Sequence, residues 1–111
     1  MNNLLYGILV IPIITNAATV SWYGFKPFEG RKTASGETFK THELTAASNT
    51  HKLGTVLQVT NLQNNKSVIV RVNDTGGFSK YGRTLDLSYG AFNKIANPKC
   101  GIIKVNIQKL N

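Results

Sequence analysis

The sequence predicts a mainly β fold: a small closed barrel of six short strands with one short helix. Three observations predict it. The chain has 111 residues, the length of one small domain. Val68, Val70 and Val72 alternate with Ile69, Arg71 and Asn73, the period of two that marks a half-buried strand. Similar short runs recur along the chain, and an open sheet of such strands would leave exposed edges that closure removes.

The elements follow in order. Ala18–Tyr23 is β-prone, with Val20 and Trp22 on one side and Thr19, Ser21 and Tyr23 on the other. Residues 24–36 hold Pro27, Gly30 and Gly36 without any period and read as a loop. Leu44–Ala47 is a short apolar run, and Gly54–Thr60 a strand. Residues 62–65 form a turn, where Asn64-Asn65 suits the positive φ of a tight hairpin. Ser67–Asn73 is its second arm, and residues 74–82 are a loop punctuated by Gly76-Gly77. Thr84–Leu87 alternates briefly. Ser88 is a good N-cap for a helix to Ala96, with Ala91, Phe92 and Ile95 as its apolar face. Asn97-Pro98 ends that helix. In 101–110, Ile103, Val105 and Ile107 alternate against Lys104, Asn106 and Gln108 as the last strand.

Residues 1–17 stand apart. Leu4–Ile14 is an apolar run of eleven residues interrupted by Gly7 and Pro12, shorter than the about twenty residues of a membrane-spanning helix. With Thr15-Asn16-Ala17 after it, the run fits a signal peptide cleaved after Ala17. The alternative is a buried N-terminal strand, since Met1-Asn2-Asn3 offers no basic side chain. The mature domain is then 18–111. No cysteine stands near the cleavage site, so the product is expected to be periplasmic or secreted without a lipid anchor, not membrane-inserted, and monomeric.

Thirteen Lys+Arg against five Asp+Glu give a net charge of +8. Outside the cytoplasm, an anionic wall polymer or membrane surface explains this charge as well as nucleic acid does. No helix-turn-helix cue, RRM signature or basic helix favours nucleic acid. The single cysteine, Cys100, excludes a disulfide-stapled fold, and beside a glycine it reads as a small core residue. Cys100, His42 and His51 are too few and too scattered for a structural zinc site. No metal or cofactor is implied.

Five acids can be weighed singly. Glu29 and Glu43 lie in polar, irregular sequence and read as solvated. Asp74 follows the clearest strand and opens the glycine loop. A strand end holds a catalytic acid more rigidly than a loop tip; an Asx turn capping the loop is the equal alternative. Asp86 lies between Leu85 and Leu87 before the helix cap, where an acid most often satisfies backbone amides or pairs with an Arg. Glu37 sits in Ser35-Gly36-Glu37-Thr38-Phe39. Neither a G-x-S-x-G elbow nor a phosphate loop is present.

Ala18–Gly24, Gly30–Phe39 and Leu44–Ala47, followed by Gly54-Thr55, Val70–Phe78 and Gly82–Ser88, occur in one order along the chain. Together they resemble the RlpA (rare lipoprotein A) family over nearly all of 18–111. The resemblance implies a double-psi β-barrel, as in barwin and expansins, and lytic cleavage of peptidoglycan glycan strands poor in stem peptides. The MurNAc–GlcNAc bond is then cut without water, leaving a 1,6-anhydro-MurNAc end. It places the family's key acids at Glu37 and Asp74 and its structural acid at Asp86. Arg71, Thr75 and Gly76, from the same motif as Asp74, are expected to contact substrate, together with Tyr23 and Ser48. Two departures stand out. Ser48 occupies the place of a usual His, and Gly77 that of a common Pro.

A lytic mechanism can run on one carboxyl group. Asp74 would give its proton to the glycosidic oxygen and then take one from the MurNAc C6 hydroxyl as that oxygen closes on C1. This role calls for a raised pKa, from burial or a like charge such as Glu37, against the pull of the +8 background. The rival expectation is an expansin-like module that binds or loosens wall glycan without cutting it. Ser48 in place of His favours that rival.

Overall fold

The computed structural model of the protein describes residues 17–24, 28–76 and 84–111. Residues 1–16 of the expected signal segment 1–17 and the Gly77 departure lie outside these residues, whereas Ala17, the last residue of that segment, pairs with Asn106. Six strands form: β1 (Ala17–Tyr23), β2 (Thr45–Ser48), β3 (Val56–Asn61), β4 (Ser67–Asp74), β5 (Leu85–Ser88) and β6 (Ile103–Lys109). Helix α1 spans Tyr89–Ile95, and a 3-10 turn spans Pro98–Cys100. The strands close into a barrel in the order β1-β5-β2-β4-β3-β6. Two neighbouring pairs, β1 with β5 and β2 with β4, run parallel. The other four are antiparallel. Closure leaves no strand edge of the kind that invites aggregation.

The interior is apolar and follows the period of two. Val68, Val70 and Val72 point inward with Leu57 and Val59, whereas Ile69 is 53% exposed and Arg71 lies outside. Val20, Leu85, Leu87 and Val105 complete the lining, and Phe92 and Ile95 of α1 pack against it. The helix begins where the sequence expects: the Ser88 side chain accepts from the Ala91 amide. That hydroxyl also donates to the Glu43 carbonyl at 2.5 Å, tying the cap to the segment before β2. The β3–β4 hairpin turns at Asn65, whose φ is 63°.

Three expectations are corrected. Leu44 stays outside β2 and is 39% exposed. Gly54 and Thr55 precede β3, with Gly54 turning at φ 89°. Cys100 is exposed rather than core, because it closes a surface 3-10 turn that Gly101, at φ 74°, redirects into β6.

The segment read as a featureless loop has structure of its own. Gly30 donates to the Phe39 carbonyl and Phe39 to the Arg31 carbonyl, while Lys32 bridges Thr38. Residues 30–39 thus form a small hairpin with its tip at Ala34–Gly36, and Gly36 has φ 90°. Phe39 is 2% exposed yet lies outside the barrel's core cluster. It stacks on Tyr23 with ring centroids 4.8 Å apart. The hairpin therefore builds a second, smaller packed layer on the outer face of the barrel.

Candidate active site

Asp74 ends β4, and its placement depends on an irregularity. Strand β2 pairs Ala46 with Val72 but Ala47 with Asp74, so Asn73 is an extra residue. Such a bulge bends a strand and re-aims the side chain that follows it. Asn73 keeps to the outer side with Ile69 and Arg71, and it is only 1% exposed because the 30–39 hairpin covers it.

The hairpin tip docks on this strand end. Ser35 donates its amide to the Asn73 carbonyl at 3.1 Å. The Ala34 amide donates to Oδ1 of Asp74 at 3.0 Å, and the Thr75 amide donates to the same oxygen at 2.9 Å. Asp74 therefore accepts the amide of the very next residue, whereas an Asx turn would take that of Gly76, which goes to Asn49 instead, and it also anchors a hairpin forty residues earlier. Both amides fall on Oδ1, which leaves Oδ2 as the oxygen able to carry a proton.

Pairing across four strands aligns Ser21 on β1, Asp86 on β5, Ala47 on β2 and Asp74 on β4. Side chains directly opposite on neighbouring strands share a face. The two acids therefore face the same side, separated by the small Ala47. Ser21 donates its hydroxyl to Asp86 Oδ1. Tyr23, two residues beyond Ser21, joins this face. Burial pushes its hydroxyl well above the ordinary tyrosine range, and the charges of Asp74 and Asp86 push it further the same way. The hydroxyl thus lies close to both acids, although no hydrogen bond of standard geometry reaches it among the described residues. Stacking on Phe39, with Phe28 edge-on at 5.5 Å, clamps the ring.

Glu37 faces a cation rather than Asp74. It pairs with Arg71. The hydrogen bond from Arg71, then one from the Asn73 side chain, holds its carboxyl below the usual range, and Arg71 is raised in return. The two side chains are 38% and 45% exposed, so water screens much of this attraction. Glu37 is thus the partner of Arg71 on the flank of Asp74.

The remaining expected contacts divide. Thr75 is exposed beside Asp74, and the Gly76 amide donates to Asn49 Oδ1 at 3.0 Å. Ser48 does not present its side chain to a groove. It is 1% exposed, and its hydroxyl accepts the amides of Thr50 at 3.1 Å and His51 at 3.0 Å. The turn it caps carries Asn49 to Gly76. Trp22 packs against the core, and its indole donates to the Pro98 carbonyl at 2.9 Å. Of these two neighbouring aromatics, only Tyr23 joins the acids. Sequence reasoning missed the Ala34 amide, Ser21 and Asn49. The first is backbone, and the other two are common polar residues whose roles come from distant partners. Glu29 is also more than solvated, since its Oε1 accepts the Thr41 amide at 2.8 Å.

A family model described as "Lytic transglycolase" matches residues 15–107. The chain belongs to this family. An endolytic peptidoglycan transglycosylase RlpA from Pseudomonas aeruginosa is 45% identical over 93 residues, which cover 84% of this chain and 27% of that protein. A probable endolytic peptidoglycan transglycosylase RlpA from Aquifex aeolicus is 51% identical over 83 residues, covering 75% and 36% respectively. The chain thus spans about a quarter to a third of the length of these relatives. Among solved structures, a Clavibacter michiganensis expansin mutant in complex with cellohexaose aligns with a TM-score of 0.69 at 19% identity, over 86% of this chain and 50% of that one. A Streptomyces papain inhibitor aligns at 0.63 and 21% identity, covering 85% and 96%. At such identities the likeness is one of fold. The family match carries the RlpA resemblance, and the closed six-stranded barrel agrees with its double-psi architecture.

Proposed function

We propose that this domain is an endolytic lytic transglycosylase that cuts MurNAc–GlcNAc bonds in peptide-poor peptidoglycan glycan strands. The observation that carries this reading is Asp74, with Oδ1 held by two backbone amides and Oδ2 left for a proton. A hydrolase of the usual kind needs two carboxyl groups, one to donate a proton and one to attack or to activate water. Here Glu37 is engaged by Arg71 and Asp86 by Ser21, so a one-acid reaction fits the side chains better. Asp74 protonates the glycosidic oxygen as positive charge grows at C1. The carboxylate then accepts the C6 hydroxyl proton as O6 closes on C1, and the acid is restored. Arg71, Thr75 and Gly76 line the approach to Asp74.

The domain works on this reading in the periplasm or outside the cell, after removal of residues 1–17. Its +8 charge draws it to glycan from which the stem peptides have been removed, because each MurNAc then carries a free lactyl carboxylate. Such binding weakens with salt, since exposed charges are screened within about 8–10 Å at physiological ionic strength.

A second reading, an expansin-like module that binds wall glycan without cutting it, draws on the buried Ser48 and on the likeness to an expansin crystallised with a glucan oligomer. Mass spectrometry of purified denuded strands incubated with residues 18–111 separates the two. Fragments ending in 1,6-anhydro-MurNAc support the transglycosylase. Retention on the strands with no cleavage transfers the case to the module.

A further inference from the structure

The Tyr23 hydroxyl is a buried polar group with no hydrogen bond of standard geometry among the described residues. Leaving such a group unpaired is costly, so its place calls for an explanation. Its ring is held from two sides, stacked on Phe39 and edge-on to Phe28, and the hydroxyl therefore has little freedom to seek another partner. It sits on the face that carries Asp74 and Asp86 and lies close enough to feel both charges. On Asp74, the two amide donors occupy Oδ1 alone. A clamped donor that senses Asp74 without reaching it in a bond of standard geometry thus stands beside an acid with an oxygen to spare.

We infer that Tyr23 is a positioning residue for Asp74, donating its hydroxyl proton in a hydrogen bond to Oδ2 when that carboxyl group is ionised. The inference rests on the transglycosylase reading for its catalytic consequence but not for the bond itself. When Asp74 holds its proton on Oδ2, that proton points to the glycosidic oxygen and Tyr23 has no charged acceptor. As the proton leaves, charge builds on Oδ2 and the tyrosine hydrogen bond strengthens. Hydrogen bonds to charged groups are about twice as strong as neutral ones, so this contact favours the transition state over the ground state. Burial and the neighbouring acids keep the phenol protonated, so Tyr23 supplies a hydrogen bond and never competes as the acid. It also keeps Oδ2 aimed to collect the C6 hydroxyl proton in the second half of the reaction.

Tyr23→Phe tests this, because it keeps the ring between Phe28 and Phe39 and removes only the oxygen. With denuded glycan strands as substrate, kcat is expected to fall about tenfold with KM within twofold of wild type, the size of one charge-assisted hydrogen bond. A raised KM with kcat unchanged would make Tyr23 a sugar platform and overturn the inference. A second measurement needs no activity. Chemical denaturation of wild type, Tyr23→Phe, Asp74→Ala and the double variant at pH 7 gives a double-mutant cycle. A coupling of about tenfold in the folding equilibrium constant supports the bond, and additive effects overturn it. If the coupling is present and wild type itself does not cleave glycan, the Tyr23–Asp74 link stands and the transglycosylase reading falls.

Discussion

The interior of the barrel and its outer acid face are built on opposite plans. Inside, Val20, Leu57, Val59, Val70, Val72, Leu85, Leu87 and Val105 are each at most 1% exposed and satisfy one another by contact alone. Any apolar side chain of similar volume serves there. Outside, the layer under the 30–39 hairpin holds Tyr23, Asn73, Asp74 and Asp86, whose polar atoms require partners in particular places. Tyr23 Oη and Asn73 Oδ1 are buried without a partner of standard geometry among the described residues. The barrel stores stability in a tolerant core, while the acid face keeps polar capacity in reserve.

This contrast predicts that substitutions on the outer face change reaction rate more than folding, and that core substitutions do the reverse. The largest effect is expected for Asp74→Asn. The amide keeps an oxygen to accept from Ala34 and Thr75, so the fold persists, but it cannot cycle a proton. A general acid contributes up to about 10⁴-fold, and release of anhydro products should fall about 10³- to 10⁴-fold while thermal unfolding and glycan binding stay near wild type. Equal product release from wild type and variant would remove Asp74 from its role.

Phe92→Ala is the opposite probe. Phe92 is fully buried where α1 meets the barrel, and its truncation should cost about 3–5 kcal/mol of stability. Denaturant titration measures the loss. The fraction still folded should turn over glycan at the wild-type rate, and a low rate in the folded fraction would erase the division between the two regions.

Ser88→Ala probes the seam between them. Its hydroxyl caps α1 and holds the Glu43 carbonyl before β2, so its loss should cost about 1–2 kcal/mol, at the upper end for a helix cap. A change below about 0.5 kcal/mol would mean that water replaces both bonds.

The smallest effect is expected at Glu37→Gln. The pair with Arg71 is half exposed, and such pairs contribute below about 1 kcal/mol. Because the folded state holds the Glu37 carboxyl below its ordinary range, its stabilisation is fully present above that range and is lost as pH falls through the lowered value. The difference in melting temperature between wild type and Glu37→Gln should thus be constant near neutrality and shrink in acid below the ordinary glutamate range. Activity should fall only a few fold, since Arg71 loses a charged partner while Asp74 keeps its amides. A loss as large as that of Asp74→Asn would make Glu37 a proton carrier in its own right.

The sequence by itself determined the alternation in β1, β4 and β6, the Ser88 cap, the turn at Asn65 and the surplus of positive charge. Each is local: a period of two records which side of one strand meets the core, and a cap or a positive φ depends on neighbours a few residues away. It also singled out Asp74 as an acid at a strand end. Only the tertiary structure decided what surrounds that acid. Ser21, Asp86, Ala47 and Asp74 lie far apart in the chain and line up through the register of a closed barrel. The extra residue at Asn73 turns Asp74 onto that row, and no propensity marks an asparagine as a bulge. Glu37, read as a neighbour able to raise the proton affinity of Asp74, was drawn instead to Arg71, three residues before Asp74 on β4. Cys100 reached the surface because the turn at Gly101, and not the hydrophobicity of cysteine, set its position. Strand patterns can be read one segment at a time because burial acts on each side chain separately. The site depends on which segments meet, and that is a property of the whole closed sheet.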